Sequence, residues 1–177
     1  MFFMGVDPGL SGAIAVVEKV GERLYLTHLS DTPTLPHIHK PGKRVLDSAK
    51  LADRLKAARF LEDRGLIYED PPFRESVSLA VLEEVCASPL GGSGAMFNFG
   101  RSYGVVEGVL LAHETVVRRV KPAAWKVSMG LMGKDKNASR AKAREFFPDQ
   151  ERFFKRVCDD GRAEAVLLAV YGALFSV

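Results

Sequence analysis

The sequence predicts an α/β domain: a mixed β-sheet covered by helices. Three observations point there. The chain opens with apolar, β-branched runs joined by tight turns, which implies an antiparallel start. Further short apolar runs then alternate with helical spacing, the pattern of βαβ crossovers. Finally, 47% of the 177 residues are hydrophobic, enough for one core, with little length left for a second. No repeat or linker interrupts the pattern, so residues 1–177 read as a single domain.

The elements follow in order. Phe2–Asp7 is a short apolar run ended by the turn dipeptide Pro8-Gly9, with Gly12 beyond it. Ala13–Val20 is apolar and β-branched, and Gly21-Glu22 turns it into a strand over Leu24–Leu29. Residues 32–46 carry Pro33, Pro36, Pro41 and Gly42 and read as an irregular loop. Asp47 or Ser48 caps a helix that Leu51, Leu55, Ala58 and Leu61 carry to about Arg64, with Gly65 as its C-cap. Residues 69–76 contain Pro71-Pro72 and read as loop. Ser78–Val85 has the pattern of a buried central strand, with Glu83 and Glu84 at its C-terminal end. Gly91-Gly92-Ser93-Gly94 leads into a long helix ending near Glu114. Thr115–Val120 is the next strand, stopped by Lys121-Pro122. Short helices are expected over 123–129, where Trp125 reads as a core anchor, and over Ser139–Phe147, which Pro148 ends. Gly161–Val177 is a last, apolar helix.

The net charge of +3 says little, but its distribution says more. Arg118, Arg119, Lys121, Lys126, Lys134, Lys136, Arg140, Lys142 and Arg144 crowd one segment and face only Asp135. Such a segment is either a solvated helix face or the footprint of a polyanionic partner. No run approaches the roughly 18 apolar residues of a membrane-spanning helix, and the N-terminus reads as a strand rather than a signal peptide. Cys86 and Cys158 form no CxxC pair and read as free thiols; His37 and His39 read as solvated loop residues. An intracellular, cytoplasmic protein is expected.

Four places put a carboxylate at a strand end or helix start. Asp7 ends the first strand and Glu83 the central one. Asp159 and Asp160 open the last helix, and Glu164 lies one turn after Asp160, on the same face. Asp7 and Asp160 taken singly read equally well as turn and helix caps. Glu83 is different, because a carboxylate closing Leu79-Ala80-Val81-Leu82 is costly without a partner. Together the acids repel one another unless cations neutralise them. Magnesium suits such oxygen ligands, and two ions roughly 4 Å apart serve phosphodiester cleavage.

These segments carry a resemblance. Met4-Gly5-Val6-Asp7-Pro8-Gly9-Leu10-Ser11-Gly12 resembles the first motif of RuvC-type Holliday-junction resolvases, and Leu82-Glu83-Glu84-Val85 the second. Phe99-Gly100-Arg101 with Gly104 resembles the segment that follows. Asp159-Asp160-Gly161-Arg162-Ala163-Glu164-Ala165 resembles the last motif as bacteriophage members write it. The likeness runs from near residue 1 to about 172 and is weakest over 30–75.

The resemblance implies an RNase H-like fold, with a mixed five-stranded sheet flanked by helices. It implies a magnesium-dependent nuclease, supported also by manganese, that resolves four-way DNA junctions as a homodimer. Its metal-binding acids would be Asp7, Glu83, Asp160 (with Asp159 as the open alternative) and Glu164. The family's usual last acid is Asp, three residues after its partner; here it is Glu, four residues on. Cys86 stands where some members place an aromatic, which leaves Phe97 or Phe99 to open the junction. Lys121, Lys126, Lys134, Lys136 and Arg140 would contact phosphates, and Ser139 would cap a helix whose N-terminus favours one. Met96, Val105, Val109 and Ala112 form a helical stripe for a dimer contact or for packing on the sheet. Competing readings are a nuclease for other branched DNA or RNA–DNA hybrids, an actin-like ATP-binding fold, and a DNA-binding module without catalysis. The single Asp-Pro-Gly turn and the short chain argue against the ATP-binding fold; the set of acids argues against the inert module.

Overall fold

The computed structural model describes residues 1–59, 77–84 and 92–175. The chain runs through β1 (Phe2–Val6), β2 (Ala13–Val20), β3 (Arg23–Asp31), β4 (Thr34–Pro36), β5 (Arg44–Leu46) and α1 (Ser48–Arg59). It continues with β6 (Val77–Glu83), α2 (Ser93–Ala112), β7 (Val117–Val120), α3 (Pro122–Ser128), α4 (Lys136–Phe146) and α5 (Asp160–Phe175). Short 3-10 segments, Pro148–Phe154 and Val157–Asp159, link α4 to α5. The main sheet has the order β3-β2-β1-β6-β7. Its β1-β2-β3 half is antiparallel and its β1-β6-β7 half parallel, the mixed five-stranded sheet that the sequence predicts.

Strand alternation divides the core into two layers. Phe2, Met4 and Val6 of β1 pack with Ile14, Val16, Ala80 and Leu82 against α1 and α2, where Leu51, Leu55, Val106 and Leu110 are buried. The opposite face carries Ala13, Ala15, Val17 and Val81 and packs on α5, with Trp125 and Phe154 at its margin. Gly5 lies on that second face. A Cβ there would stand 2.0 Å from the Ala165 carbonyl oxygen, so only glycine lets the α5 backbone rest directly on β1. Gly161 plays the same part at the other end of the contact, where a Cβ would meet the Ser11 carbonyl at 2.1 Å. Two glycines thus fix how closely α5 approaches the turn after β1.

Two boundaries differ from the sequence reading. Residues 32–46 are not wholly irregular: β4 and β5 pair as a small antiparallel ribbon, Leu35 opposite Val45. The prolines that argued for a loop are tolerated because a two-stranded ribbon leaves its outer edges unpaired. Second, α4 begins at Lys136, and Asp135, not Ser139, caps it, its Oδ1 accepting from the Ala138 N–H at 3.1 Å. Ser139 is buried one turn in, so the phosphate expected at a serine-capped N-terminus meets an aspartate instead. Of the two caps the sequence offers for α1, Asp47 takes the role, accepting from the Lys50 N–H at 3.0 Å. The expected reach of α1 to Arg64, its Gly65 cap, the loop over 69–76, and Val85, Cys86 and Gly91 lie outside the described residues.

Candidate active site

Period-two alternation decides where the acids point. Asp7 follows β1 two residues after Gly5, and Glu83 ends β6 two residues after Val81, so both belong to the face covered by α5. The parallel register pairs Val6 with Leu82, which puts Asp7 and Glu83 side by side at the C-terminal ends of adjacent strands. Glu84 falls on the other face, toward Tyr103, whose phenol is raised chiefly by burial and by Glu107, with Glu84 adding least. Across from Asp7, α5 begins. A cleft of about 490 Å³ is lined by Asp7, Asp160 and Glu164 together with the turn Gly9–Gly12. Asp7 Oδ1 accepts from the Gly9 N–H at 3.0 Å, so the Pro-Gly turn itself orients the carboxylate.

Glu83 has the partner that its burial demands. The Trp125 indole Nε1–H donates to Glu83 Oε1 at 2.8 Å. Trp125 is 0% exposed; the expected core anchor also holds an acid. Burial pushes the Glu83 carboxyl above the ordinary glutamate range, outweighing that hydrogen bond; the Glu164 carboxylate adds to the rise and Lys126 opposes it. Lys126 is the next residue of α3. Its Nζ stands 3.6 Å from Glu164 Oε1 and 5.1 Å from the centre of the Trp125 ring. The sequence reading placed Lys126 on a basic stretch with no acid near it but Asp135. The structure corrects this, because one helical step from a buried tryptophan carries the lysine to Glu164.

The two aspartates at the start of α5 part company. Asp159 is 1% exposed. It accepts from the Arg156 backbone N–H at 2.8 Å and from the Arg156 guanidinium at 2.8 and 3.0 Å, with Arg162 Nη1 at 3.6 Å. Burial alone would raise its carboxyl, but the Arg156 hydrogen bonds and the Arg162 charge hold it below the usual range. It is a structural knot. Asp160 is only partly buried, and its Oδ1 makes no hydrogen bond although it is shut off from solvent. Arg140 Nη1 lies 3.4 Å from that oxygen.

Arg140 is 7% exposed and also donates to the Arg156 carbonyl at 2.8 Å. The expected phosphate contact there is therefore corrected to an internal brace for Asp160. Lys121 and Lys134 are exposed, while Lys136 opens α4. Arg162, Asp31 and Arg44 escaped the sequence reading. Arg162 grips Asp31 with two bonds, 2.6 and 2.7 Å, and that hydrogen bonding holds Asp31 below the normal carboxylate range. Asp31 lies opposite Ala13 across the hairpin, but the register shifts by one residue between Val16 and Val17, so counting back from the Gly21-Glu22 turn would have given Ser30 instead.

Among the described residues no three His, Cys, Asp or Glu side chains stand close enough to hold a metal ion jointly. Asp7, Asp160 and Glu164 line one cleft, the Glu164 charge acts on Glu83 beside it, and Lys126 and Arg140 serve as countercharges. The chemistry of the donors still fits a hard cation: every candidate ligand atom is a carboxylate oxygen, and the buried Asp160 Oδ1 lacks a donor.

No family model matches the chain. Holliday junction resolvase MOC1, chloroplastic, of Chlamydomonas reinhardtii is 32% identical over 143 residues, which cover 76% of this chain and 14% of that protein. The chain thus spans a small part of the curated relative's length. Thermus thermophilus RuvC in complex with a Holliday junction substrate superposes with a TM-score of 0.62 at 17% identity, covering 99% of this chain and 95% of that one. The yeast mitochondrial Holliday junction resolvase Ydc2 gives 0.56 at 12% identity, covering 94% and 75%. The chain therefore has the RNase H-like fold of RuvC, and its sequence resembles that of a Holliday junction resolvase.

Proposed function

We propose that this chain, with the RuvC fold as premise, is a divalent-metal-dependent, structure-selective DNA endonuclease. Residues 1–177 act as one nuclease domain that resolves four-way junctions by paired symmetric phosphodiester cuts. One observation carries the reading: Asp7 and Glu83, on adjacent parallel strand ends, face the helix that bears Asp160 and Glu164. Those four acids would hold magnesium, for which manganese would substitute. When bound, the metal supplies activation of a water and stabilisation of the leaving oxygen.

The chain's own groups do the rest. Trp125 fixes the rotamer of Glu83. Lys126 and Arg140 neutralise Glu164 and Asp160, which keeps the carboxylates together before substrate arrives. Lys121, Lys134 and Lys136 hold backbone phosphates. Phe97, 73% exposed near the start of α2, stacks on bases at the junction centre. Of the expected dimer stripe, Val105 and Val109 pack partly on the core, Met96 is half-buried and Ala112 exposed. A homodimer uses the outer side of α2, since two symmetric cuts need two sites. Among the described residues no helix is long and apolar enough to cross a membrane, and the cytoplasm, the host's for a phage-encoded chain, is where it acts.

The test is incubation with labelled four-way junction, duplex and RNA–DNA hybrid, with magnesium and then with chelator. Paired cuts in the junction, lost in chelator and in Asp7→Asn, are expected. Preferred cutting of the hybrid would replace the resolvase reading by an RNase H-type one.

A further inference from the structure

The ribbon β4–β5 is basic and exposed. Between Asp31 and Asp47 the sequence contains Lys40, Lys43 and Arg44 and no acid. From Leu35 to Arg44 every residue is exposed except the half-buried His37. The ribbon is nonetheless built rather than slack. Leu35 pairs with Val45, and Pro36 with Arg44. The His37 N–H donates to the Lys43 carbonyl at 2.9 Å, and the Lys43 N–H to the Lys40 carbonyl at 3.1 Å. The tip is closed by its own backbone and by the His39 N–H, which donates to His37 Nδ1 at 3.1 Å. At its summit Ile38 is 90% exposed. The tip thus presents one β-branched apolar side chain to solvent on a ribbon whose charged residues are Lys40, Lys43 and Arg44.

The base of the ribbon meets the candidate active site. Arg44 lines the same cleft as Asp7, Asp160 and Glu164, and its Nη2 donates to Ser11 Oγ, in the turn after Asp7, at 2.9 Å. The cations of the ribbon therefore rise from one rim of the cleft. Two-stranded ribbons enter nucleic-acid grooves, cations on them hold phosphates, and apolar tips wedge between base steps.

We propose that β4–β5 is a DNA-binding arm: Lys40, Lys43 and Arg44 hold backbone phosphates beside the cleft, and Ile38 is a wedge against the bases. The inference rests on the nuclease reading and adds to it a second DNA contact, apart from the basic segment over 118–144.

The experiment uses the full chain in chelator, with a four-way junction carrying 2-aminopurine at its centre and a fluorophore on one arm. Wild type, Lys40→Ala/Lys43→Ala and Ile38→Ser are compared across a salt series, each first shown to keep the wild-type melting temperature. Lys40→Ala/Lys43→Ala is expected to flatten the slope of log affinity against log salt by about two units. Ile38→Ser is expected to keep that slope and lose most of the 2-aminopurine rise that wild type gives. Wild-type slope in the double variant together with wild-type 2-aminopurine signal in Ile38→Ser would overturn the proposal while leaving the nuclease reading in place. Failure of wild type to bind the junction at all would overturn both.

Discussion

Trp125 donates its indole N–H to Glu83 at 2.8 Å from a position with no solvent exposure. The bond joins a strand-end carboxylate to a helix 42 residues on, and it answers the desolvation that raises Glu83. Trp125→Phe keeps most of the ring volume and removes the donor. The expected cost is about 1–3 kcal/mol, that of a buried carboxylate left without its partner. Junction cleavage should fall further than junction binding. Thermal denaturation and single-turnover cleavage check the pair; a wild-type cleavage rate would mean that Glu83 is positioned without the indole.

Lys126 separates from the other lysines of its segment. Its Nζ is 3.6 Å from Glu164, whereas Lys134 is exposed. Lys126→Ala should slow cleavage in complexes saturated with junction, because it strips the countercharge from Glu164. Lys134→Ala/Lys136→Ala should leave the saturated rate near wild type and flatten the salt slope by about two units. Equal effects of the two variants on rate and slope would return Lys126 to the outer basic surface.

How much of this was legible follows from which signals are local. Strand alternation and the Asp-Pro-Gly turn are local, so β1, β2, β6 and the acids Asp7 and Glu83 could be read directly. The contrast between Asp159 and Asp160 was not, because it depends on Arg156 and Arg162 reaching Asp159. The ribbon was hidden by its prolines, which signal loop whether or not neighbouring strands pair. Lys126 was hidden by composition: a lysine in a basic run looks solvated until the burial of Trp125 fixes the rotation of α3.

Gly5→Ala should be the most damaging small change in the sheet. A Cβ there would stand 2.0 Å from the Ala165 carbonyl and 2.4 Å from the Ala169 nitrogen, both backbone atoms that no rotamer change can move. Either β1 or α5 must retreat, at about 3 kcal/mol or more. Equilibrium urea denaturation measures it, and a loss under about 1 kcal/mol would show that the helix rides more loosely on the strand.

Asp31 should give a pH signature. The Arg162 hydrogen bonds hold its carboxyl below the normal range, so the folded state binds the proton less readily than the unfolded one. The stability this contributes is present above the ordinary aspartate value, about 3.9, and disappears as pH falls through the lowered one. Asp31→Asn should melt lower than wild type at neutral pH, and the gap should close under acid. A gap that persists unchanged to pH 2 would mean that the pair acts through packing rather than charge.

The sharpest prediction sets Asp159 against Asp160. Asp159 is buried and accepts three bonds from Arg156, one from backbone and two from the guanidinium. Asp159→Asn removes the charge that those donors and Arg162 answer, and should cost about 2–3 kcal/mol. Asp160 presents a buried oxygen without a hydrogen bond, and its countercharge, Arg140, keeps the Arg156 carbonyl as a second partner. Asp160→Asn should therefore cost less stability than Asp159→Asn, because it gives up one ion pair at 3.4 Å and no hydrogen bond to that oxygen. Activity should order the other way. Asp160→Asn should bind junction and fail to cut it, since a carboxamide cannot supply the charge that a hard cation needs. Asp159→Asn should cut at temperatures where it stays folded. Melting curves and cleavage assays on the same two preparations decide it: a stable, active Asp160→Asn beside a folded, inactive Asp159→Asn would move the third acid back by one residue.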